Sequence, residues 1–284
     1  MKLGITTPVV TNQTGAHARW ERTGTVDDVR RIAEQADRLG YEFMTCSEHI
    51  GVPDGEAVSR GARYWDPLST FGYVAACTQR IRLATFVLVL GYHHPLEIAK
   101  RYGTLDQISG GRVVLGVGVG TLKAEFDLLG APFDDRGERA DDALRALRAS
   151  LSDPNPSYEG PFYSFGGITI DPCARQEHVP LWIGGRSRRS ARRAVALADG
   201  WCPFNVTADQ AARWLGETDV PSGFEVVLPP DHPLDPLTDP DDAVSALTVL
   251  AQAGTTIASA RVVHHSAGHY LEQLEALAGL AAAV

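Results

Sequence analysis

Four stretches of the 284-residue chain carry residues whose types and spacing suit chemistry. Ser47-Glu48-His49 sets a carboxylate beside an imidazole, and an imidazole titrates near neutrality, so His49 suits proton transfer or polarisation of a bound group. A lone histidine is as readily a packing or capping group, and the catalytic reading depends on His49 closing a strand at the mouth of a barrel. His93-His94 and His264-His265 raise a metal site. Adjacent residues of an extended chain face opposite ways, however, so at most one of each pair could serve a given ion. Metal-hydrolase barrels also carry His-x-His on the first strand, where this chain reads LGITTP, and no metal is expected. GGRSRRSARRA, from residue 184 to 194, opens a helix with two glycines, an arginine and a serine. Free backbone N–H groups, the positive end of the helix dipole and a guanidinium there make an anion site from Gly184, Gly185, Arg186 and Ser187. Most of Arg188, Arg189, Arg192 and Arg193 read as a solvated helix face. Finally, RVVLGVGVG (112–120) alternates Gly116, Gly118 and Gly120 with branched residues. Glycine weakens a strand, so its repetition points to a close approach, either by a second backbone across a crowded interior or by a flat ligand.

These stretches need a frame, and the chain alternates short β-rich runs with helical patterns. Strands are expected over 3–8, 42–49, 81–90, 112–120, 179–185, 199–204, 224–229 and 256–263, each followed by a helical stretch. Thr25 caps the first helix and Gly40 ends it; Asp66-Pro67 opens another; further helices are expected over 95–108, 136–151, 187–198, 240–253 and 268–282, with one from near Thr207. Apolar strands alternating with helices mean a parallel sheet covered outside, and eight such units in this length favour a closed (β/α)8 barrel, a TIM barrel, over an open doubly wound sheet. Residues 1–284 read as a single domain. The stretch 121–178, rich in Pro, Gly and aromatics at its end, is an excursion between strands 4 and 5: a lid over the mouth or a surface loop with a short hairpin.

Composition removes several classes. A net charge of −9 speaks against non-specific nucleic-acid binding. The longest apolar runs are too short for a membrane span, and MKLGITTPVV lacks the basic and long apolar regions of a signal peptide, so a cytoplasmic protein is expected. Cys46, Cys77, Cys173 and Cys202 lie far apart, as buried reduced thiols would. No GxGxxG or GxxxxGK[ST] run argues for a Rossmann or P-loop site.

AEQADRLGYEFMTCSEH, ACTQRIRLATFVLVLGYHHPLEIAKRYGTLDQISGGRVVLGVGVG, AEFDLLGAPFDDRGERADDAL and VPLWIGGRSRRSARRAVALADGWCP, in this order, resemble the bacterial luciferase-like flavin oxidoreductases. Within them the chain is similar to the probable coenzyme F420-dependent group, over residues 1 to about 205. The resemblance implies a flavin or 8-hydroxy-5-deazaflavin ring at the barrel mouth, beside a bulge on strand 3 (Thr85, Phe86, Val87) and the strand 4 end (Gly116, Gly118, Val119, Gly120). It also implies a non-prolyl cis peptide at Phe86–Val87 or at a bond within one residue of it. Glu48-His49 matches the family's acidic-residue-plus-histidine pair, with the imidazole near the reactive centre, and the cofactor phosphate falls near Gly184, Gly185, Arg186 and Ser187. The implied activity is hydride transfer between coenzyme F420 and a small organic substrate. The alternatives are a reduced-FMN monooxygenase using O2 and a non-catalytic flavin-binding protein.

Two positions depart from the group's sugar-phosphate dehydrogenases. Thr121 stands where they carry a glutamate, so substrate and proton donor should differ. Phe204-Asn205-Val206-Thr207 replaces a phosphate-binding lysine. Few carboxylates at strand ends, with Trp20, Tyr64, Trp65, Tyr92 and Phe126, point to an apolar or aromatic substrate, though core packing also explains aromatics. The resemblance further points to a homodimer through the helices around 121–151.

Overall fold

Strands that are apolar on both faces need covering on both, which a closed parallel sheet ringed by helices supplies. The computed structural model describes residues 1–13, 17–282 and 284. Its strands are β1 (Lys2–Ile5), β2 (Phe43–Cys46), β3 (Arg82–Thr85), β4 (Leu88–Val89), β5 (Val113–Gly118), β6 (Tyr158–Glu159), β7 (Ser164–Phe165), β8 (Leu181–Ile183), β9 (Gly200–Trp201), β10 (Glu225–Leu228) and β11 (Ile257–Ala260). The helices are α1 (Val26–Leu39), α2 (Asp54–Arg60), α3 (Pro67–Cys77), α4 (Pro95–Ser109), α5 (Lys123–Leu129), α6 (Arg136–Ser150), α7 (Arg188–Leu197), α8 (Ala208–Leu215), α9 (Pro240–Gln252) and α10 (Ala267–Ala281).

The sheet runs β3-β2-β1-β11-β10-β9-β8-β5-β4, and β3 also pairs with β5, which closes it. Since β3 and β4 both lie against β5, they are two pieces of one stave, and the fold is the (β/α)8 barrel. Inside, Phe43 and Trp182 meet edge to face at 5.2 Å and fill the lower barrel with Ala84, Val114, Val227 and Ile257. A Cβ at Gly4 would fall 2.3 Å from the Phe43 ring, which is why that stave carries no side chain there. Outside, the helices present their apolar faces: Val29, Ile32, Ala33 and Ala36 of α1 are buried.

Local signals set the helix boundaries. Thr25 accepts from the Asp28 N–H while the Asp28 side chain accepts from the Thr25 N–H, and Gly40 ends α1 in the left-handed region at φ 81°. Asp66 caps α3 ahead of Pro67, and Ser187 caps α7. The strands end sooner than their apolar runs. The expected strand 81–90 breaks after Thr85, and the Phe86–Val87 peptide is cis. β11 stops at Ala260 rather than continuing to 263. The excursion divides: α5 sits near the mouth, while β6 and β7 form an antiparallel hairpin tied to Asp142 of α6 through Tyr158 Oη (2.5 Å) and the Phe162 N–H (2.8 Å). Neither α2 nor α5 belongs to the alternation read from sequence. All four cysteines are free thiols; Cys46 and Cys202 are buried, but Cys77 and Cys173 are only half-buried. No described helix is long and apolar enough to cross a membrane.

Candidate active site

A cavity of about 870 Å³ opens where the strands end. Its floor answers the question raised by the alternating glycines. A Cβ on Gly116 would lie 2.0 Å from the Thr85 carbonyl oxygen, one on Gly118 would lie 2.8 Å from Val87 Cγ2, and one on Gly184 would lie 2.6 Å from Val87 Cγ1. The glycines make room for the bulged third stave, so the close approach comes from this chain itself. Gly120, at φ 76°, needs glycine for its backbone as well. Phe86, Val87, Gly118, Val119, Gly120, Gly184, Gly185, Arg186 and Ser187 all line the cavity. Thr85 and Gly116 lie beneath it, where Thr85 Oγ1 donates to the Gly116 carbonyl at 2.8 Å; both are corrections to the expected lining.

The tripeptide after β2 braces the bulge. Ser47 Oγ donates to the Phe86 carbonyl (2.7 Å), and the Glu48 N–H donates to the Val87 carbonyl (3.3 Å). The Glu48 carboxylate accepts from the Val89 N–H (2.7 Å) and pairs with His93 Nε2 (2.6 Å). Glu48 is therefore not the hydrogen-bond partner of His49, since successive residues of an extended chain diverge. Burial disfavours the charged His93, yet the Glu48 carboxylate more than offsets this and raises its pKa above 6.5.

The partner of His49 is Glu125, on α5, at 2.7 Å from Nδ1. The same oxygen accepts from Tyr92 Oη at 2.7 Å, and the other accepts from the Ile50 and Gly51 N–H groups at 2.6 and 3.2 Å. Burial alone would raise the Glu125 pKa, but the Tyr92, His49 and Gly51 hydrogen bonds lower it below the ordinary carboxylate range. An ionised carboxylate only accepts, so Nδ1 carries a proton, which leaves Nε2 as the edge that gives or takes one. Nε2 has no hydrogen-bond partner among the described residues, His49 lines the cavity, and the Tyr64 ring packs against it at 4.4 Å. Sequence reasoning missed Glu125. The available signal was the acidic residue four positions past Thr121, in a stretch too short to show helical periodicity.

The other histidines are committed locally. The His94 side chain accepts from the Leu96 N–H, His264 Nδ1 accepts from Trp20 Nε1 at 2.8 Å, and His265 stacks on His269 at 4.2 Å. Among the described residues no three His, Cys, Asp or Glu side chains converge on a common ion position. Of the aromatics singled out, Tyr64 and Tyr92 line the cavity, whereas Phe126 is buried against Gly91 and Gly120. At the far side, Arg189 and Arg193 also line the cavity, so the α7 arginines are not simply a solvated face. Arg193 is held by Asp141, and Arg188 pairs with Glu217 outside.

The fold and this site define a barrel with a largely apolar mouth that also bears arginines. The chain belongs to the luciferase-like monooxygenase family, whose sequence profile matches residues 1–218. An uncharacterised protein of Mycobacterium tuberculosis (strain ATCC 25618 / H37Rv) is 32% identical over 180 residues, which is 63% of this chain and 62% of that protein. The match thus spans less than two thirds of that relative. The FMNH(2)-dependent dimethylsulfone monooxygenase of Pseudomonas putida is 29% identical over 179 residues, 62% of this chain and 48% of that one. Among solved structures, a long-chain alkane monooxygenase superposes with a TM-score of 0.77 at 14% identity, over 98% of this chain and 90% of that one. The coenzyme F420 dependent tetrahydromethanopterin reductase of Methanopyrus kandleri gives 0.71 at 15% identity, over 98% and 97%. Both structural likenesses speak to the fold alone.

Proposed function

We propose that residues 1–284 form one oxidoreductase domain that binds coenzyme F420 at this mouth and moves a hydride between it and a small organic substrate. The observation that carries this is His49, oriented by a buried ionised carboxylate and facing a large cavity over the bulged floor. The residues present fit a flat ring with an anionic tail. The Phe86 and Val87 side chains offer an apolar surface and Gly118 and Gly120 bare backbone, while Gly185, Arg186 and Ser187 offer donors at the start of α7. Arg186 and Arg189 have no acidic partner among the described residues, which supports a tail with more negative charge than a single phosphate. When bound, the cofactor supplies the hydride donor or acceptor.

The chain's own contribution is binding and proton management. Glu125 and Tyr92 hold the His49 ring, and Nε2 takes or gives a proton at the substrate atom that changes charge. The floor and the Tyr64 ring narrow water's access to that edge. A second reading, a reduced-FMN-dependent monooxygenase using O2, is favoured by the 29% identity to the FMNH(2)-dependent enzyme. Fluorescence titration of the purified protein with coenzyme F420 and with FMN tests both. Micromolar binding of F420 alone is expected; binding of FMN alone moves the assignment to the second reading, and binding of neither overturns both.

A further inference from the structure

The chain carries a net charge of −9, yet the cavity is lined by more arginines than carboxylates. Of the seven charged side chains three are already matched, and Asp231, just past β10, is the second carboxylate of the lining. Arg60 bonds Glu56 at 3.0 Å, Arg193 is held by Asp141, and Glu48 is spent on His93 and the Val89 N–H. Arg186 and Arg189, at the end of β8, face the place assigned above to the cofactor tail. Arg261 remains. It follows β11 directly, lines the cavity, and its Nε is buried with no hydrogen-bond partner; no acidic side chain among the described residues pairs with it. On the adjoining stave, where β1 pairs with β11 through Ile5 and Ala260, the chain leads on to Thr11, which lines the same cavity and bridges to Tyr64. Its Oγ1 is likewise buried and unpartnered. The ends of β9 and β10 separate this corner from Arg186, so one small anion cannot serve both.

A guanidinium lining a cavity without an acidic partner gains one when an oxyanion enters, and the planar fork of its outer nitrogens suits two parallel hydrogen bonds. We propose that Arg261, assisted by Thr11, anchors an oxyanion group of the substrate, so that the substrate class is small organic acids, carboxylates or sulfonates. This adds an anionic group to the apolar or aromatic substrate to which the aromatics point. The word substrate rests on the oxidoreductase reading; the anion site itself does not.

Calorimetric titration of the full chain with benzoate, benzenesulfonate and the neutral benzamide, at low ionic strength, tests the site. Benzoate or benzenesulfonate should bind at least about tenfold tighter than benzamide, the preferred one naming the oxyanion geometry. Arg261→Gln should remove that preference while leaving benzamide unchanged, and Thr11→Val should weaken anion binding a few-fold. If Arg261→Gln fails to fold, Arg261→Lys carries the test, keeping the charge but losing the fork and part of the preference. Anions and benzamide binding alike in the parent protein, or an anion preference untouched by either Arg261 variant, overturns the proposal. F420 and FMN affinities, read by fluorescence, should not change in these variants. A loss of cofactor affinity with benzoate binding intact assigns Arg261 to the cofactor and overturns the proposal. Benzoate binding through Arg261 in a chain that takes neither cofactor supports the anion site and refutes the oxidoreductase reading instead.

Discussion

The two sides of the cavity handle charge in opposite ways. On the β2 side, every carboxylate closes on this chain's own donors: Glu125 accepts from Tyr92, His49, Ile50 and Gly51, and Glu48 from Val89 and His93. On the side of β8 and β11, Arg186, Arg189 and Arg261 have no acidic partner among the described residues. A saturated carboxylate cannot rearrange cheaply, because each lost hydrogen bond to a buried group leaves a desolvated atom behind. Such a side is suited to holding a ring in one orientation. Unmatched arginines gain partners only when something binds. The first side is built for positioning and the second for recognition.

The contrast breaks most visibly at His49. His49→Gln is expected to lower turnover on the order of 100-fold, with cofactor affinity and melting temperature nearly unchanged. If the variant is insoluble or loses the cofactor, His49 belongs to the framework. Glu125→Gln should lower turnover about tenfold by loosening the ring and should shift the pH profile, since the amide no longer favours the Nδ1 proton. Glu125→Ala should in addition lower the melting temperature, because the Ile50 and Gly51 N–H groups lose their acceptor at about 1–3 kcal/mol. A Glu125→Gln enzyme with an unmoved pH profile would show that Glu125 only supports the loop.

On the recognition side, Arg186→Ala should weaken cofactor binding roughly tenfold, the scale of a charge-assisted hydrogen bond of about 1.5–3 kcal/mol. Stability should stay as it was, and an unchanged affinity at low salt would count against the tail assignment. The smallest effects come from two histidines of opposite sign. Burial, with His269 and His265 nearby, holds His264 down to about 4, so the unfolded chain binds the extra proton between that value and 6.5. Its contribution is therefore full above 6.5 and declines as the pH falls toward 4. His93 is shifted the other way by Glu48, so its contribution is full below 6.5 and is lost as the pH rises through its raised value. Thermal melts of His264→Gln and His93→Gln against the parent chain, across pH, should show slopes of opposite sign. Parallel curves would mean that neither histidine differs between folded and unfolded states.

What could be read along the chain was whatever is decided locally. Thr25, Asp66 and Ser187 mark helix starts because a cap acts on N–H groups within three residues, and Gly40 marks an end because the left-handed turn tolerates it. The alternation of apolar strands with helices was enough for the barrel, since a parallel sheet leaves few other ways to bury both faces. Where a strand stops is not local: the ladder ends where neighbouring staves diverge, so Arg261 lay hidden inside an apolar run, and the break of the third stave at Phe86 could be expected from the family resemblance but not from its own apolar run. Nor could spacing reveal partners. Glu48 and His49 are adjacent yet serve different networks, while Glu125 meets His49 across 76 positions because α5 folds back over the mouth. Residue types told which groups could carry charge; only the closed barrel decided which of those charges are satisfied within the protein and which wait for a ligand, because burial and distance exist only once the chain has closed on itself.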